Sequence, residues 1–515
     1  MLGRIFTVGG FTLLSRISGF ARDIMLAAIL GAGPGADAFF VALRLPNHFR
    51  AIFAEGAFNA AFVPAYARIR AQKGSNPAGI FADRAFTLLL VSQIVLLAAA
   101  LLFTPSVIGL LAPGFVGDPG RFDLAVELTR ITFPYLLLVA VVTLYGGILN
   151  ALGRFATAAA APILLNLSIM AALALALFFP TAGHAAAWGV FVAGCLEVIL
   201  LATDASRQGA LPKLRWPRLD QEMKHFLKRF APATAGSAGT QIALFADTII
   251  ASFLSAGAIS ALYYADRINQ LPIGVIGVAV GTVLLPEMSR RIAAGDEAGS
   301  RHAQNRAVEL TLLLTLPCVA AFLLVPDLIM RALFLRGAFS AANAHASAMT
   351  LVAYAFGLIP FVLMRSATIT FLSRGDTVTP VKALAVAVTV NVAFKILFVY
   401  ATSLEQVGLA LATSIGAWVN LILLLWLASR AGLITVDAAL SSTGLRLVAA
   451  TLMLGLVLWL AASPVADVFA GQKLHEEATL AALAVLGALV YGGVALTLLG
   501  KGWLATLRRR QGSIS

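Results

Sequence analysis

The sequence predicts an all-α, polytopic membrane protein, and three features support this: its composition, its recurring apolar runs and the distribution of its basic residues. Hydrophobic residues make up 60% of the 515 residues and charged residues 12%, with a mean hydropathy of +0.92. An ordinary globular protein is about 25% charged, so this chain lacks the residues to cover a water-exposed surface. Each apolar run approaches the roughly 20 residues that a spanning helix needs. The predicted solvent of the fold is therefore lipid.

About fourteen apolar segments are long enough to be transmembrane helices. Several connections between them are short, so no soluble domain is expected. The first segment resembles a signal peptide, but Arg16 and Arg22 stand where a small-residue cleavage site would lie, which favours a retained helix. The predicted spans are 5–30, 36–66, 85–112, 131–152, 159–180, 185–203, 230–254, 258–287, 308–335, 346–372, 380–401, 406–429, 443–463 and 478–500.

The basic residues predict the orientation of these spans. With the amino terminus in the cytoplasm, 24 of the 37 Lys and Arg residues fall in cytoplasmic loops and tails, and five fall in outer loops. Because Lys and Arg concentrate on the cytoplasmic side of membrane proteins, both termini are expected in the cytoplasm, with the chain in a bacterial inner membrane. The same dispersal accounts for the net charge of +13, so no nucleic-acid partner is expected.

An internal repeat with an offset near 222 residues organises the spans. Residues 61–68 parallel residues 283–290, with Pro64 over Pro286. Six spans separate equivalent landmarks, so both copies share one orientation and are related by an axis along the membrane normal. The substrate site of such transporters lies between the repeats near the midplane. The predicted organisation is two pseudo-symmetric six-helix lobes, 1–225 and 226–432, followed by two helices and a basic tail in 433–515.

Catalytic and cofactor sites are not predicted. Cys195 and Cys318 lie inside apolar runs and are expected to be buried hydrophobic residues rather than a disulfide. The six histidines have no metal-site spacing, so no metal is expected. Residues 31–35 are rich in glycine, but no strand precedes them and Pro34 would break a phosphate-binding helix start. The chain is therefore not expected to be an enzyme or to carry a cofactor.

Ionisable residues inside the predicted spans are the candidate functional residues. Each costs about 2.5–3.5 kcal/mol on insertion scales, so such residues face water, a counter-charge or a ligand. Asp37, Arg44 and Glu55 fall on one face of an ideal helix, and we expect them to form an internal ion-pair stripe.

Four further arginines point to the substrate class. If the stripe forms, the remaining acids do not neutralise all of them, and a guanidinium matches the oxygens of a phosphate. The alternative is that these arginines pair with acids such as Asp23 and Asp266. The arginine surplus favours a cavity for a phosphate or diphosphate, lined by Arg16, Arg22, Arg50 and Arg267.

Several short motifs form a combination that is more specific than any one of them. They are Ser15–Asp23, Asp37–Phe40, Leu45–Asn47, Ile52–Phe58 with Phe62–Pro64, Tyr263–Arg267 and Gly281–Pro286. In this combination the chain resembles the MurJ (MviN) family of lipid II flippases, in the superfamily that includes multidrug MATE exporters and polysaccharide-lipid flippases. The resemblance covers nearly the whole chain.

The resemblance implies transport of lipid II, the undecaprenyl-diphosphate-linked peptidoglycan precursor, from the inner to the outer leaflet by alternating access. It implies a monomer that works beside the cell-wall synthesis machinery, and a lipid-tail groove formed by spans thirteen and fourteen. Asp37 occupies a functionally sensitive family position, whereas Gln270 replaces a residue that is acidic in some relatives. The family's cavity arginines, which would hold the diphosphate, correspond to Arg16, Arg22, Arg50 and Arg267.

The energy source is predicted from charges in the second lobe. Some family members resemble sodium-coupled transporters, and Asp247 and Asn391 are available here for such a site. Lys395 lies one turn from Asn391 on the same face, where its ammonium would compete with sodium. Coupling to the membrane potential, which is worth about 2.3 kcal/mol per charge per 100 mV, is therefore favoured. Asp247 and Lys395 are expected to interact.

Three other functions remain open from the residues. A flippase for another lipid-linked oligosaccharide, of the O-antigen or exopolysaccharide type, would need the same arginines. A membrane enzyme acting on a polyprenyl diphosphate would need an acidic metal cluster or a nucleophile–base pair, neither of which is visible. A scaffold of the cell-wall machinery would not need arginines inside its spans.

The predicted orientation can be tested with single cysteines in a background from which Cys195 and Cys318 have been replaced by alanine. Gly295→Cys lies in a predicted cytoplasmic loop and Lys473→Cys in a predicted periplasmic loop. An impermeant maleimide added to intact cells is expected to label position 473 and to reach position 295 after lysis. Strong labelling of position 295 in intact cells would overturn the orientation.

Overall fold

The fold is helical throughout the part of the chain that the structure describes, as predicted. The computed structural model describes the backbone of residues 2–50 and 58–508. Eleven helical segments there are long and apolar enough to cross a membrane, so the chain is a multi-pass membrane protein. Side chains are described over the same ranges except at residues 2–7, 49, 233, 235–243, 278 and 501–508.

The predicted count of fourteen spans stays a prediction. The three predicted spans outside the eleven are 5–30, 36–66 and 230–254, and their described residues are helical except 253 and 254, which follow the end of α10 at Ser252. They also contain many of the ionisable residues that the sequence singles out, and those residues lower the mean hydropathy of each segment.

Prolines explain why several predicted spans are each two helices. A proline in the first turn of a helix loses no hydrogen bond, whereas within a helix it removes one. Pro105, Pro134 and Pro326 each lie in the first turn of a new helix, and the helices before them end at Leu102, Thr132 and Leu324.

The chain divides into two compact units. The first comprises Met1–Ser260 together with Arg336–Ser340. Two 3₁₀ helices, Pro113–Gly117 and Ala176–Phe178, connect helices of this unit. Its α-helices are α1 (Leu2–Leu30), α2 (Pro34–Arg50), α3 (Asn59–Lys73), α4 (Ser75–Leu102), α5 (Thr104–Leu111), α6 (Pro119–Thr132), α7 (Pro134–Ala151), α8 (Ala156–Ala174), α9 (Ala182–Arg207) and α10 (Gln221–Ser252).

The second unit comprises Ala261–Leu335 and Ala341–Ser515. A π-helical segment, Ile273–Gly277, lies between its first two helices. The helices are α11 (Ala258–Pro272), which begins in the first unit, then α12 (Val278–Ala293), α13 (Glu297–Leu324), α14 (Pro326–Phe334), α15 (Ala341–Leu372), α16 (Val378–Ala401), α17 (Glu405–Arg430), α18 (Ala438–Phe469) and α19 (His475–Arg508).

An aromatic cluster holds α10 in the first unit. The rings of Phe58, Phe62 and Phe81 stack in series, with centroids 5.0 and 5.6 Å apart. Phe226 and Phe230 of α10 stack at 5.5 Å, and Phe226 meets Phe81 edge-on at 5.8 Å. This packing places the start of α10 in the first compact unit, which ends at Ser260. The predicted boundary at 225/226 marks a sequence repeat and stays a prediction.

Small residues allow close packing of α15 with α17 in the second unit. The hydroxyl of Ser414 donates a hydrogen bond to the carbonyl of Ala353 at 2.6 Å. A Cβ added at Gly357 would lie 2.6 Å from the Oγ of Ser414 and 2.8 Å from its Cα. Membrane helices lack a hydrophobic drive to associate with each other, so close approach and interhelical hydrogen bonds stabilise the contact.

Candidate functional site

Arg22 is buried in a polar cluster that joins α1 to α8. Arg22 is 8% exposed and Asp23 is 2% exposed. The Nη2 and Nε of Arg22 donate to Oδ1 of Asp23 at 2.7 and 3.1 Å, and its Nη1 donates to Oδ1 of Asn166 at 3.0 Å. The amide of Asn166 donates to the Ser15 carbonyl and to Oγ of Ser18. The alternative interpretation of the arginines was pairing with nearby acids, and Arg22 is paired in this way with Asp23.

Asp37 is fully enclosed, with 0% of its surface exposed. Its Oδ2 accepts hydrogen bonds from Nη2 of Arg121 at 2.6 Å and from the backbone N–H of Gly257 at 2.7 Å. Its Oδ1 accepts from the backbone N–H and the hydroxyl of Ser260, at 2.8 and 2.6 Å. A carboxylate at the start of α11 satisfies amides that have no partner within the helix and interacts favourably with the helix dipole. In this geometry Asp37 positions helices, and its predicted contact with substrate stays a prediction.

The predicted ion-pair stripe of Asp37, Arg44 and Glu55 is wrong for its first two members. Nη1 of Arg44 donates to Oγ1 of Thr248 on α10 at 2.7 Å, and the cation beside Asp37 is Arg121 on α6. Glu55 lies outside the described residues. The helical wheel considered α2 alone, whereas α6 and α10 supply competing partners.

Arg16 and Arg50 differ in their surroundings. Arg16 is exposed on α1, and its side chain has no ion-pair or hydrogen-bond partner among the described residues. Arg50 is half-buried at the end of α2, where it interacts electrostatically with Glu197, a carboxylate of α9 that is 3% exposed. Sequence reasoning missed Glu197. An acidic residue within the apolar span 185–203 is the signal that could have identified it.

Arg267 lies on α11 beside an aromatic residue one turn earlier. Its Nη2 donates to Oη of Tyr263 at 2.9 Å, and its guanidinium carbon is 4.7 Å from the centre of the Tyr263 ring. The side-chain amide of Gln270 donates to Asp266 at 3.3 Å. A guanidinium can lie over a ring with its face while its edge donates hydrogen bonds, as Arg267 does to Tyr263.

The three residues considered for ion coupling are all partly or fully buried. Lys395 on α16 is 2% exposed and Asp247 on α10 is half-buried. The amide of Asn391 donates to the carbonyl of Ala412 on α17 at 3.3 Å. The predicted interaction of Asp247 with Lys395, and any role in coupling, stay predictions.

An apolar cavity of about 750 Å³ lies among α13, α14, α18 and α19 of the second unit. Its lining is almost entirely aliphatic and includes Cys318 and Tyr491, whose hydroxyl donates to the Leu313 carbonyl at 2.8 Å. An ion pair between Arg331 and Glu476 joins α14 to α19 beside it. The hydrogen bond of Tyr491 and this ion pair thus connect helices around the cavity.

Solved structures share this fold. A structure titled "Lipid II flippase MurJ, inward closed conformation" aligns with a TM-score of 0.78 at 24% identity, over 95% of this chain and 97% of that one. An inward-facing multidrug resistance MATE family transporter aligns with a TM-score of 0.64 at 15% identity, over 83% of this chain and 98% of that one. The class of protein is thus a multi-pass helical membrane protein with a MATE-like transporter fold.

The sequence then gives the family. Residues 26–475 match the family described as "Lipid II flippase MurJ". A "Probable lipid II flippase MurJ" of Rhizobium tropici is 41% identical over 470 residues, which is 89% of this chain and 87% of that protein. A "Lipid II flippase MurJ" of Burkholderia cenocepacia is 33% identical over 501 residues, which is 95% of this chain and 96% of that protein. The chain belongs to the MurJ family, which confirms the resemblance seen in its motifs.

The contact between Asp37 and Arg121 can be tested with a double-mutant cycle. Asp37→Ala leaves the guanidinium of Arg121 buried without its carboxylate, which is expected to destabilise the protein by about 3–5 kcal/mol. Arg121→Met in the same chain removes that charge and should recover part of the loss. The free energy of unfolding of the purified variants in detergent measures both effects. Arg130→Ala, at an exposed arginine of the same helix, is the control and is expected to change little. Strictly additive effects at 37 and 121 would contradict the pairing.

Proposed function

We propose that this chain moves lipid II, the undecaprenyl-diphosphate-linked peptidoglycan precursor, from the inner to the outer leaflet of the bacterial cytoplasmic membrane. The observation that carries the proposal is the family match over residues 26–475, together with relatives named for this activity across most of their length. These names also make another lipid-linked oligosaccharide the less favoured substrate. The chain acts as a transporter that changes the access of its site from one side to the other, without covalent chemistry.

The diphosphate is held by the intramembrane arginines, Arg16, Arg22, Arg50 and Arg267. Arg16 is exposed and has no protein partner among the described side chains, so it is available for the first contact. Arg22 already donates three hydrogen bonds to Asp23 and Asn166. A diphosphate that binds Arg22 must therefore replace a carboxylate and an amide oxygen with its own oxygens. Because one set of acceptors replaces another, the charge on Arg22 stays compensated throughout.

Such an exchange connects substrate binding to helix movement. Asn166 of α8 accepts a hydrogen bond from Arg22 and donates to the Ser15 carbonyl and to Oγ of Ser18, so all of these contacts join α8 to α1. If the diphosphate takes the place of Asn166 at Arg22, this contact of α1 with α8 weakens. Glu197 acts in the same way at Arg50, since it compensates the charge of that arginine when no substrate is present.

The polyprenyl tail lies in the apolar cavity among α13, α14, α18 and α19. The tail would pass from lipid hydrocarbon to aliphatic walls of similar polarity, so the cavity can receive it without specific contacts and without a desolvation cost. The lining of Leu313, Ile329, Leu454 and Leu483 offers such walls. The charged headgroup and the tail therefore occupy sites of opposite polarity on one protein.

The membrane potential is proposed to supply the energy. The lipid-linked diphosphate is anionic, and each charge that moves with or against the potential is worth about 2.3 kcal/mol per 100 mV. Asp247, Asn391 and Lys395 would act through electrostatic pairing rather than as a sodium site, because Lys395 is a buried cation. Both termini face the cytoplasm, and a monomer working beside the cell-wall synthesis machinery is the proposed functional form.

Substitution of the four arginines tests the proposed substrate contact. Alanine at 16, 22, 50 or 267 is expected to abolish growth of a flippase-depleted strain while leaving membrane insertion intact. Lysine should rescue in part, because an ammonium is a point charge that lacks the bidentate geometry of a guanidinium. Arg70→Ala, which removes an exposed arginine of α3, is the control and should support growth. Normal growth with two or more of the alanine variants at native expression would show that these arginines are structural.

A further inference from the structure

The connection between α9 and α10, residues 210–220, is an extended segment fixed along α4. The backbone N–H of Lys213 donates to Oδ1 of Asp83 at 2.8 Å, and that of Arg215 donates to Oγ1 of Thr87 at 2.9 Å. The two acceptors are one turn apart on α4. A connection with these backbone contacts holds a defined conformation and presents the same side chains outward at all times.

Ion pairs fix the carboxyl end of this α9–α10 linker. Asp220 pairs with Arg84 of α4, and Glu222, in the first turn of α10, pairs with Arg68 and Lys73 of α3. The hydrogen bond from Lys73, with a second from Arg68, holds the pKa of Glu222 below its usual range, so this carboxylate remains ionised at neutral pH. The acids of this region are thus already paired with cations of α3 and α4.

The outward surface of the linker combines apolar and basic side chains. Trp216 is 83% exposed and Leu214 is 70% exposed. Arg215, which stands between them in the sequence, pairs with Asp83 at 3.5 Å. Lys213 and Arg218 of the linker, with Lys224 and Lys228 of α10, are exposed and have no ion-pair or hydrogen-bond partner among the described residues.

The linker lies beside the start of the apolar run of α4. Thr87, which binds the amide of Arg215, is followed by the apolar run of α4 that starts at Leu88. The linker also joins the ends of two helices, α9 and α10, at Arg207 and Gln221. Tryptophan favours the headgroup level of a bilayer, and basic clusters next to a spanning helix attract anionic lipids. The neighbouring surface with the matching charge is the bilayer itself.

We propose that the α9–α10 linker is an interfacial lipid-binding segment, in which Trp216 and Leu214 enter the headgroup region while Lys213, Arg218, Lys224 and Lys228 bind anionic phospholipid headgroups. This site is distinct from the arginines proposed for the substrate diphosphate, and its ligand is the surrounding membrane. Its occupancy fixes the amino end of α10 relative to the bilayer surface. The test below measures lipid contact rather than transport, so its outcome is independent of the proposed function.

The test uses the full-length protein reconstituted in vesicles that contain brominated lipid, which quenches tryptophan at short range. The contribution of Trp216 is the difference between the parent protein and Trp216→Phe. Brominated phosphatidylglycerol is expected to quench this contribution more strongly than brominated phosphatidylcholine at equal mole fraction, with a preference of roughly fivefold for each cation that engages a headgroup. High salt should reduce the preference.

Two charge variants separate this site from a general effect of charge. The double variant Lys213→Ala/Arg218→Ala is expected to reduce the preference for phosphatidylglycerol at least fivefold, which is roughly the effect of losing one cation that binds a headgroup. Arg70→Ala/Lys382→Ala removes the same charge from exposed positions elsewhere and should retain the preference. Absence of quenching by either lipid would overturn the proposal and favour a soluble partner for this surface. Equal quenching by the two lipids in the parent protein, or equal loss of preference in both variants, would also overturn it.

Discussion

The free energy of placing an ionised side chain in hydrocarbon is the constraint on which the rest of this structure depends. At about 2.5–3.5 kcal/mol per charge, no spanning helix tolerates an uncompensated ion facing lipid. The first unit meets this constraint locally: Arg22 lies against Asp23, and Asp37 against Arg121. The same contacts join helices that are distant in sequence, since Asn166 connects α8 to α1. Compensation of charge and association of helices are therefore achieved by the same hydrogen bonds.

This dual use has a consequence for transport. In the proposed function Arg22 is compensated without substrate, and the substrate binds it by supplying acceptors that replace Asp23 and Asn166. A diphosphate does so, whereas a neutral headgroup would leave the guanidinium with its protein partners. Discrimination then comes from exchange of partners rather than from an empty pocket. In the proposed function the apolar cavity beside α18 and α19 receives the tail, which requires no such exchange.

The sequence predicted the helical class, the membrane and the family, because these depend on composition and on motifs that are local in sequence. It also identified Arg22 as an intramembrane charge. It did not predict that Arg121 would pair with Asp37, because a helical wheel for α2 contains no information about α6. Glu197 was missed for a related reason: a single acid in a strongly apolar run has little effect on hydropathy, although burial against Arg50 makes it informative.

Hydropathy and charge do not show whether a connection between helices has a defined structure. The α9–α10 linker was counted among cytoplasmic basic loops, and its charge served to assign orientation. Its fixed contacts with Asp83 and Thr87 show that the loop also has a defined structure. Basic residues that determine topology during insertion can therefore keep a second use in the folded protein, where their charges face the headgroups of the same leaflet.

Movement of lipid II across vesicles that contain the purified protein tests the central claim most directly. The measurement compares lipid II with an analogue of equal length in which a neutral linker replaces the diphosphate, and it follows the fraction of each that becomes accessible to a soluble reagent on the opposite side. Exchange of partners at the arginines predicts that lipid II crosses and that the neutral analogue crosses no faster than in protein-free vesicles. Equal crossing of the two lipids would contradict the account.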